Sequence, residues 1–539
     1  MRIRLAASCL AVSVITSACF KDDKDVVASD PPRTGGDGDS DPMDAGRDAA
    51  PDVAGDGGQL SFEPYMIAPG SASITSVNSE DWVIFRSAME LRAVKIPAIV
   101  EAADGGSVVA ANELLSTSPG SVLTRNAVVF NWADIDWDRG FGTLSVWSPG
   151  AGSQQVGPTL YSEALVAASR AGVVVFPALS PAADADSGVP DGGIPASGGD
   201  AGGGDAGSQP DSVQLMLADG DVANAQILIA TLGLGSETTC GPQIDFVGER
   251  LFVGWCEPGS QVAQIQRFDR VADEWQATLT IPNVLPAWSA DETGEIVFYQ
   301  AMDYSAHVAE PEGGRVIDTG VSSGFLVPDG SAAFYTVGDQ LRRTSLPSIN
   351  PIPMVTNGYS QPVGFSPAYD LVLYSTAVSY EQGIQRDLRM VATDAFNAMP
   401  TELVTGLTAS LTRSSISQDG QFVFYLSDVS PSGGLLHVVD RAGVERVVLP
   451  GVVEALAAAD GRIVFTDNSS DPEVYPIVTD LKVIDLAGDA QPRLIEAKIL
   501  EGRTFQLDAA KERVVYVRSG IDRDVAAPDQ VGLFVQRVR

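Results

Sequence analysis

The groups that could do chemistry in this chain of 539 residues are few in kind: two histidines, four cysteines and seventy acidic side chains. His437 sits in an apolar strand where similar strands carry Lys482, Arg389 or Ser145, and His307, in Ala306-His307-Val308, occupies an equivalent place. Both read as polar strand residues. A zinc site needs three or four ligands at tighter spacing. A nucleophilic serine on a strand-to-helix elbow needs Gly-x-Ser-x-Gly. The nearest stretch, Gly364-Phe365-Ser366-Pro367-Ala368, lacks the second glycine. The sequence therefore predicts no catalytic residues, no metal centre and no cofactor.

One loop stands apart. Asn131-Trp132-Ala133-Asp134-Ile135-Asp136-Trp137-Asp138-Arg139-Gly140 spaces Asp134, Asp136 and Asp138 as calcium loops space their first ligands. Gly140 comes one residue late, and Ser145 stands where a bidentate Glu is needed, so these aspartates are weak calcium candidates. The plain alternative is an acidic hairpin loop with two tryptophans against the blade edge. A third reading is part of a ligand face, because exposed Trp is favoured at binding hot spots.

The N-terminus carries an address. Arg2 and Arg4 precede a largely apolar stretch of fourteen residues, Leu5 to Ala18. That length suits a signal peptide and falls short of the about 20 residues a spanning helix needs. Ile15-Thr16-Ser17-Ala18-Cys19 resembles a lipobox, with Thr16 in place of the usual Leu. The resemblance implies cleavage after residue 18 and a lipid on Cys19. Phe20, in place of an inner-membrane-retaining Asp, implies sorting to the outer membrane. Cys9 leaves with the signal peptide, so Cys240 and Cys256 remain as an even pair in an oxidising compartment. Ile244 to Val247 and Leu251 to Val253 flank a turn at Gly248. A hairpin centred there pairs positions whose numbers sum to 496, which sets Cys240 opposite Cys256 and predicts a disulfide. Two buried free thiols are the alternative.

Net charge is −36, and −38 once Arg2 and Arg4 are removed. Such a surface repels phosphate backbones and excludes nucleic acid as a partner. Residues 19–60 form an Asp- and Gly-rich tether behind the lipidated cysteine, too poor in apolar groups to fold. Residues 182–211, with six Asp and no Lys or Arg, read as a disordered insertion at a loop tip.

Residues 61–539 show strands and almost no helical periodicity. The clearest unit runs from Ser415 to Asp428, with Asp419-Gly420 as a hairpin turn between apolar runs. Its apolar strand recurs at Phe85, Phe130, Phe176, Val253, Phe298, Phe334, Leu373, Phe424, Phe465 and Tyr516. The intervals are 36 to 51 residues, apart from one of 77 that holds the insertion. Four short strands per unit of this length mark propeller blades. Ser417 to Asp428, with Leu481-Lys482-Val483-Ile484-Asp485 and Pro492-Arg493-Leu494-Ile495, resembles the TolB-type, WD40-like β-propeller repeat. Gln418 replaces the usual Pro, and several units lack the Asp-Gly turn. The expected fold is all-β: a propeller of about ten four-stranded repeats, as one large ring in preference to two smaller propellers. The last repeat is one strand short, and Leu60 to Ala68 could supply that strand.

Together these readings describe an outer-membrane-anchored, non-catalytic binding or scaffolding lipoprotein of the envelope. It would be monomeric, touch the membrane only through its lipid, and bind a protein or glycan. The alternative is a propeller hydrolase or lyase acting on polysaccharide or peptide through carboxylates at the central channel.

Overall fold

The computed structural model describes residues 65–538, apart from 70–71, 97–111, 138–139, 180–211, 234–241, 257–261, 380–384, 394–398, 408–413, 431–432, 469–477, 501–504, 519–531 and a few single positions. Chain contacts divide Met1–Glu63 from Pro64–Arg539. Cys19, the tether, the 182–211 insertion, Asp138 and Cys240 lie outside the described residues.

Each repeat folds into a four-stranded antiparallel sheet whose strands pair in sequence order. Blade 1 is built from Ala72–Val77, Trp82–Ser87, Glu90–Lys95 and Glu113–Ser116, numbered from the inner strand outward. The second strand buries Val83, Ile84 and Phe85 in succession, because neighbouring blades cover both of its faces. All ten residues that mark the sequence repeat lie in second strands, and all ten are buried. The described residues form 38 strands and two short 3-10 turns, Glu163–Leu165 and Val222–Asn224. Two long strands each serve two blades. Glu274–Ala290 closes blade 4 and opens blade 5, and Glu445–Ala457 does the same for blades 8 and 9.

The ten described blades make one circuit. Each shares an apolar core with the next, from blades 1 and 2 (Ile84, Leu91, Val129, Trp147) through to blades 9 and 10 (Val464, Leu481, Tyr516, Phe534). Blades 10 and 1 then share Ile67, Val83, Phe85, Val515 and Leu533. Two separate rings would break this sequence of cores, so the smaller-propeller alternative does not hold. Blade 10 owns three strands, Phe505–Leu507, Arg513–Arg518 and Gly532–Arg537. Its fourth is Tyr65–Pro69, which pairs with Gly532–Arg537 and meets the expectation placed on Leu60 to Ala68.

The turns follow local chemistry. Gly420 takes φ +68°, while Asp419 Oδ1 accepts the Gln421 N–H at 3.0 Å. One register differs from expectation. Val247 pairs with Arg250 and Gln243 with Gly254, so this ladder sums to 497 and not to 496. The reason is the turn. Gly248 is the first of two connecting residues and takes φ +58°, the pattern of a two-residue hairpin with Gly leading; it is not a single apex.

Candidate functional site

Strand direction decides which loops meet. The second-to-third turns and the connections to the next blade leave from one end of the ring, because antiparallel neighbours alternate in direction. At blades 1 and 2 these segments enclose a groove of about 300 Å³ lined by Arg86, Ala88, Met89, Ser118, Pro119, Gly120 and Asp134. Gly120 is required by close approach: a Cβ there would lie 1.6 Å from the Trp132 carbonyl oxygen. Its N–H donates to Asn131 Oδ1 at 3.0 Å, and its carbonyl accepts from Arg86 Nη2 at 2.5 Å. Asp134 reaches the groove through a bulge. The register breaks between Ala133 and Asp136, and Asp134 takes φ +51°, a left-handed conformation unusual away from glycine.

Beside the groove stands an aromatic group. Trp137 is 71% exposed and meets Tyr161 edge-on at 5.5 Å. Tyr161 is held by its N–H to the Gly140 carbonyl at 2.7 Å and by its hydroxyl against Ser121 Oγ at 3.0 Å. Its other side rests on the buried Trp132 at 5.4 Å, whose indole N–H donates to Thr159 Oγ1 at 3.2 Å. The two tryptophans of the loop thus divide their work: Trp132 packs the blade and Trp137 faces solvent. Met89, on the groove wall, is 76% exposed. Tyr304, in the matching turn of blade 5, shares this end of the ring with Trp137, and these two are the exposed large aromatics among the described residues. Asp134 and Asp136 lie on one strand, and no cluster of three acidic, His or Cys side chains among the described residues could hold a metal ion.

The histidines occupy a rung that recurs around the ring. In seven blades an aromatic residue of the second strand lies directly opposite a basic residue of the third: Phe85 with Arg92, Phe252 with Arg267, Tyr299 with His307, Tyr335 with Arg342, Tyr374 with Arg389, Tyr425 with His437, and Phe465 with Lys482. Directly opposed side chains are close enough to stack. The Arg and Lys members donate to carboxylates, as Arg342 does to Asp318 at 2.8 Å and Lys482 to Asp467 at 2.5 Å. His437 stacks on Tyr425 at 4.9 Å, and burial pushes that phenol up to about 12. The sequence equation of His437 with Arg389 and Lys482 is therefore one of register. Sequence reading passed over the partners of His437, which are Ser427 and Glu445.

The inner strands bear three charged side chains among the described residues: Arg125, Asp245 and Glu454. Burial raises the Asp245 carboxyl above its ordinary range, opposed by the Phe246 N–H and by Arg125. Asp245 and Glu454 belong to blades 4 and 9. Cys256 is buried and disulfide-bonded. Its expected partner, Cys240, lies outside the described residues.

No family model matches the chain, and no curated protein matches it. Solved structures do. The chain is 10% identical to the tricorn protease, with a TM-score of 0.24, over 83% of this chain and 51% of that one. It is 15% identical to a TolB structure from Agrobacterium tumefaciens, with a TM-score of 0.23, over 49% and 94%. It is 12% identical to the β-propeller domain of the Trilobed protease from Pyrococcus furiosus, with a TM-score of 0.30, over 56% and 94%. The chain spans about half the length of the tricorn protease that it matches. At these identities each likeness is one of fold, and the structures this chain is similar to include β-propellers from proteases and a TolB.

Proposed function

We propose that the chain is a binding or scaffolding propeller of the cell envelope, and that its partner docks on the end of the ring bearing the blade 1–2 groove. The observation that supports this reading is the pairing of a concave groove lined by Arg86 and Asp134 with exposed Met89 and Trp137. Large apolar groups held out in solvent beside a groove mark interaction sites. The partner is a protein or a glycan, and Cys19 carries the lipid that holds the ring at the outer membrane.

A photo-crosslinking residue placed at Met89 or Trp137 in exported protein tests the docking face. Both positions should yield a discrete adduct in living cells. A crosslinker at Met399, exposed at the opposite end of its blade, should not. Equal crosslinking from Met399, or none from the other two, overturns the reading. The anchor is tested separately: Cys19→Ser should abolish palmitate incorporation and release the protein from membranes. Unchanged membrane flotation of that variant sinks the anchor.

A further inference from the structure

Blade 8 holds three side chains in the order of a serine-nucleophile relay. Ser427 Oγ lies 2.9 Å from His437 Nε2, and His437 Nδ1 lies 2.7 Å from Glu445 Oε1. They come from three adjacent strands, Phe422–Ser430, Gly433–Asp440 and Glu445–Ala457. An ionised carboxylate can only accept, so His437 Nδ1–H donates to Glu445, which leaves Nε2 to accept from the Ser427 hydroxyl. Asp428 Oδ2, the other carboxylate near that hydroxyl, is farther away at 3.4 Å. Stacking on Tyr425 fixes the imidazole plane. The chain beyond Ser427 leaves the regular ladder: the register breaks between Ser427 and Ser430, and Asp428 takes φ +49°.

Blade 5 supplies an internal contrast with the same parts in another order. His307 stacks on Tyr299, and its Nε2 lies 2.7 Å from Ser305 Oγ. Here the carboxylate bonds the serine, with Ser305 Oγ donating to Asp303 at 2.5 Å. The Ser305 hydroxyl hydrogen is directed at Asp303, so His307 Nε2 donates to Ser305 Oγ and is not placed to act as its base.

We infer that Ser427, backed by His437 and Glu445, is a nucleophile toward small carboxylic esters. Ser427 Oγ adds to the ester carbonyl carbon as its proton passes to His437 Nε2. The bond to the alcohol breaks, the alcohol leaves with that proton, and an acyl-Ser427 ester remains. A water molecule deprotonated by His437 then adds to the acyl carbon, and the carboxylic acid departs as Ser427 recovers its proton. Ser427 is 7% exposed, which restricts the acyl group to a short one. Glu445 is a positioning residue.

The test uses full-length exported protein and an alkyl fluorophosphonate, read by intact mass and peptide mapping. One phosphonyl adduct on Ser427 is expected, and none on Ser305. Ser427→Ala should carry no adduct, and His437→Gln should slow labelling at least a hundredfold. Glu445→Gln should slow it about tenfold, with far-UV spectrum and unfolding midpoint unchanged and partial rescue by Glu445→Asp. Hydrolysis of p-nitrophenyl acetate should follow the same order. The inference is overturned if folded wild-type protein gains no adduct on Ser427, if His437→Gln labels as fast, or if Ser305 labels equally. The last two outcomes would show that the blade 8 geometry confers no activation, and that the three groups only brace the sheet.

Discussion

The backbone N–H of Val77 donates to the side-chain oxygen of Gln506 at 2.7 Å, joining the first blade to the last across 429 residues of sequence. A second tie runs from the Ala509 N–H to Asp81 Oδ1 at 3.0 Å. Both lie beside the core that Ile67 and Val83 share with Val515 and Leu533. Ring closure therefore rests on the N-terminal strand as well as on the last blade. Removing residues up to Pro69 should leave Gly532–Arg537 as an unpaired edge, an aggregation hazard. Light scattering should rise, and the unfolding midpoint should fall. Ile67→Ala, in the intact chain, should cost about 2–5 kcal/mol in denaturant unfolding. An unchanged midpoint in both variants would show that the strand is dispensable.

Gly120 sets the floor of the groove. An added methyl would overlap the Trp132 carbonyl, which is backbone and cannot swing aside. Gly120→Ala should therefore cost about 3 kcal/mol or more, at or beyond the top of the usual overpacking range. Gly364→Ala is the control, since a Cβ there meets nothing within 4 Å. Equal loss in both variants, by chemical denaturation, would mean that Gly120 matters only through backbone entropy.

The fold was legible in the sequence wherever burial on both faces left consecutive apolar residues. Phe424 and its nine counterparts mark the second strand of every blade for that reason. Outer strands are partly solvated and vary, so the strand shared by blades 8 and 9, Glu445–Ala457, gives no sequence signal of its double role. The site was less legible, because it depends on register. The Tyr425–His437 rung follows from strand pairing, but Ser427 reaches His437 diagonally and Glu445 comes from a third strand. Polar residues in alternating strands are too common to single these out. The groove likewise needs a bulge at Asp134, and no periodicity reveals a bulge.

Blades 7 and 8 are pinned by charge. Arg441 Nη1 and Nη2 each donate to the Asp370 carboxylate at 2.7 Å, and its Nε donates to the Gly420 carbonyl at the same distance. The Arg441 hydrogen bonds hold the Asp370 carboxyl below its ordinary value, with Ser366 assisting. A depressed carboxyl contributes stability above its unfolded pKa and loses it as pH falls through the folded value. Arg441→Gln should thus be less stable than wild type at pH 7, by up to about 1 kcal/mol because the pair is partly exposed. The difference should shrink as pH falls below about 4, the unfolded carboxylate range. A gap that persists at pH 2 would mean that Arg441 acts through the Gly420 carbonyl and not through Asp370.

Cys256 ends the second strand of blade 4, buried and bonded to a partner outside the described residues. Cys240 remains the expected partner, because Cys9 is predicted to leave with the signal peptide and Cys19 to carry lipid. The simple register that first suggested the pair does not hold, since the ladder from Gln243 to Val247 sums to 497. The ladder begins at Gln243, so its register does not fix the place of Cys240 against Cys256. Closing a loop of this size stabilises a fold by about 3 kcal/mol on the chain-entropy estimate, less any strain. Cys256→Ser and Cys240→Ser should each lower stability by that amount, and the double variant should lose no more than either single one, because both remove the same bond. Peptide mapping of the unreduced, denatured wild-type protein should give one linked species containing both cysteines. Additive losses in the double variant, or a Cys256 peptide linked elsewhere, would show that the bond has another partner.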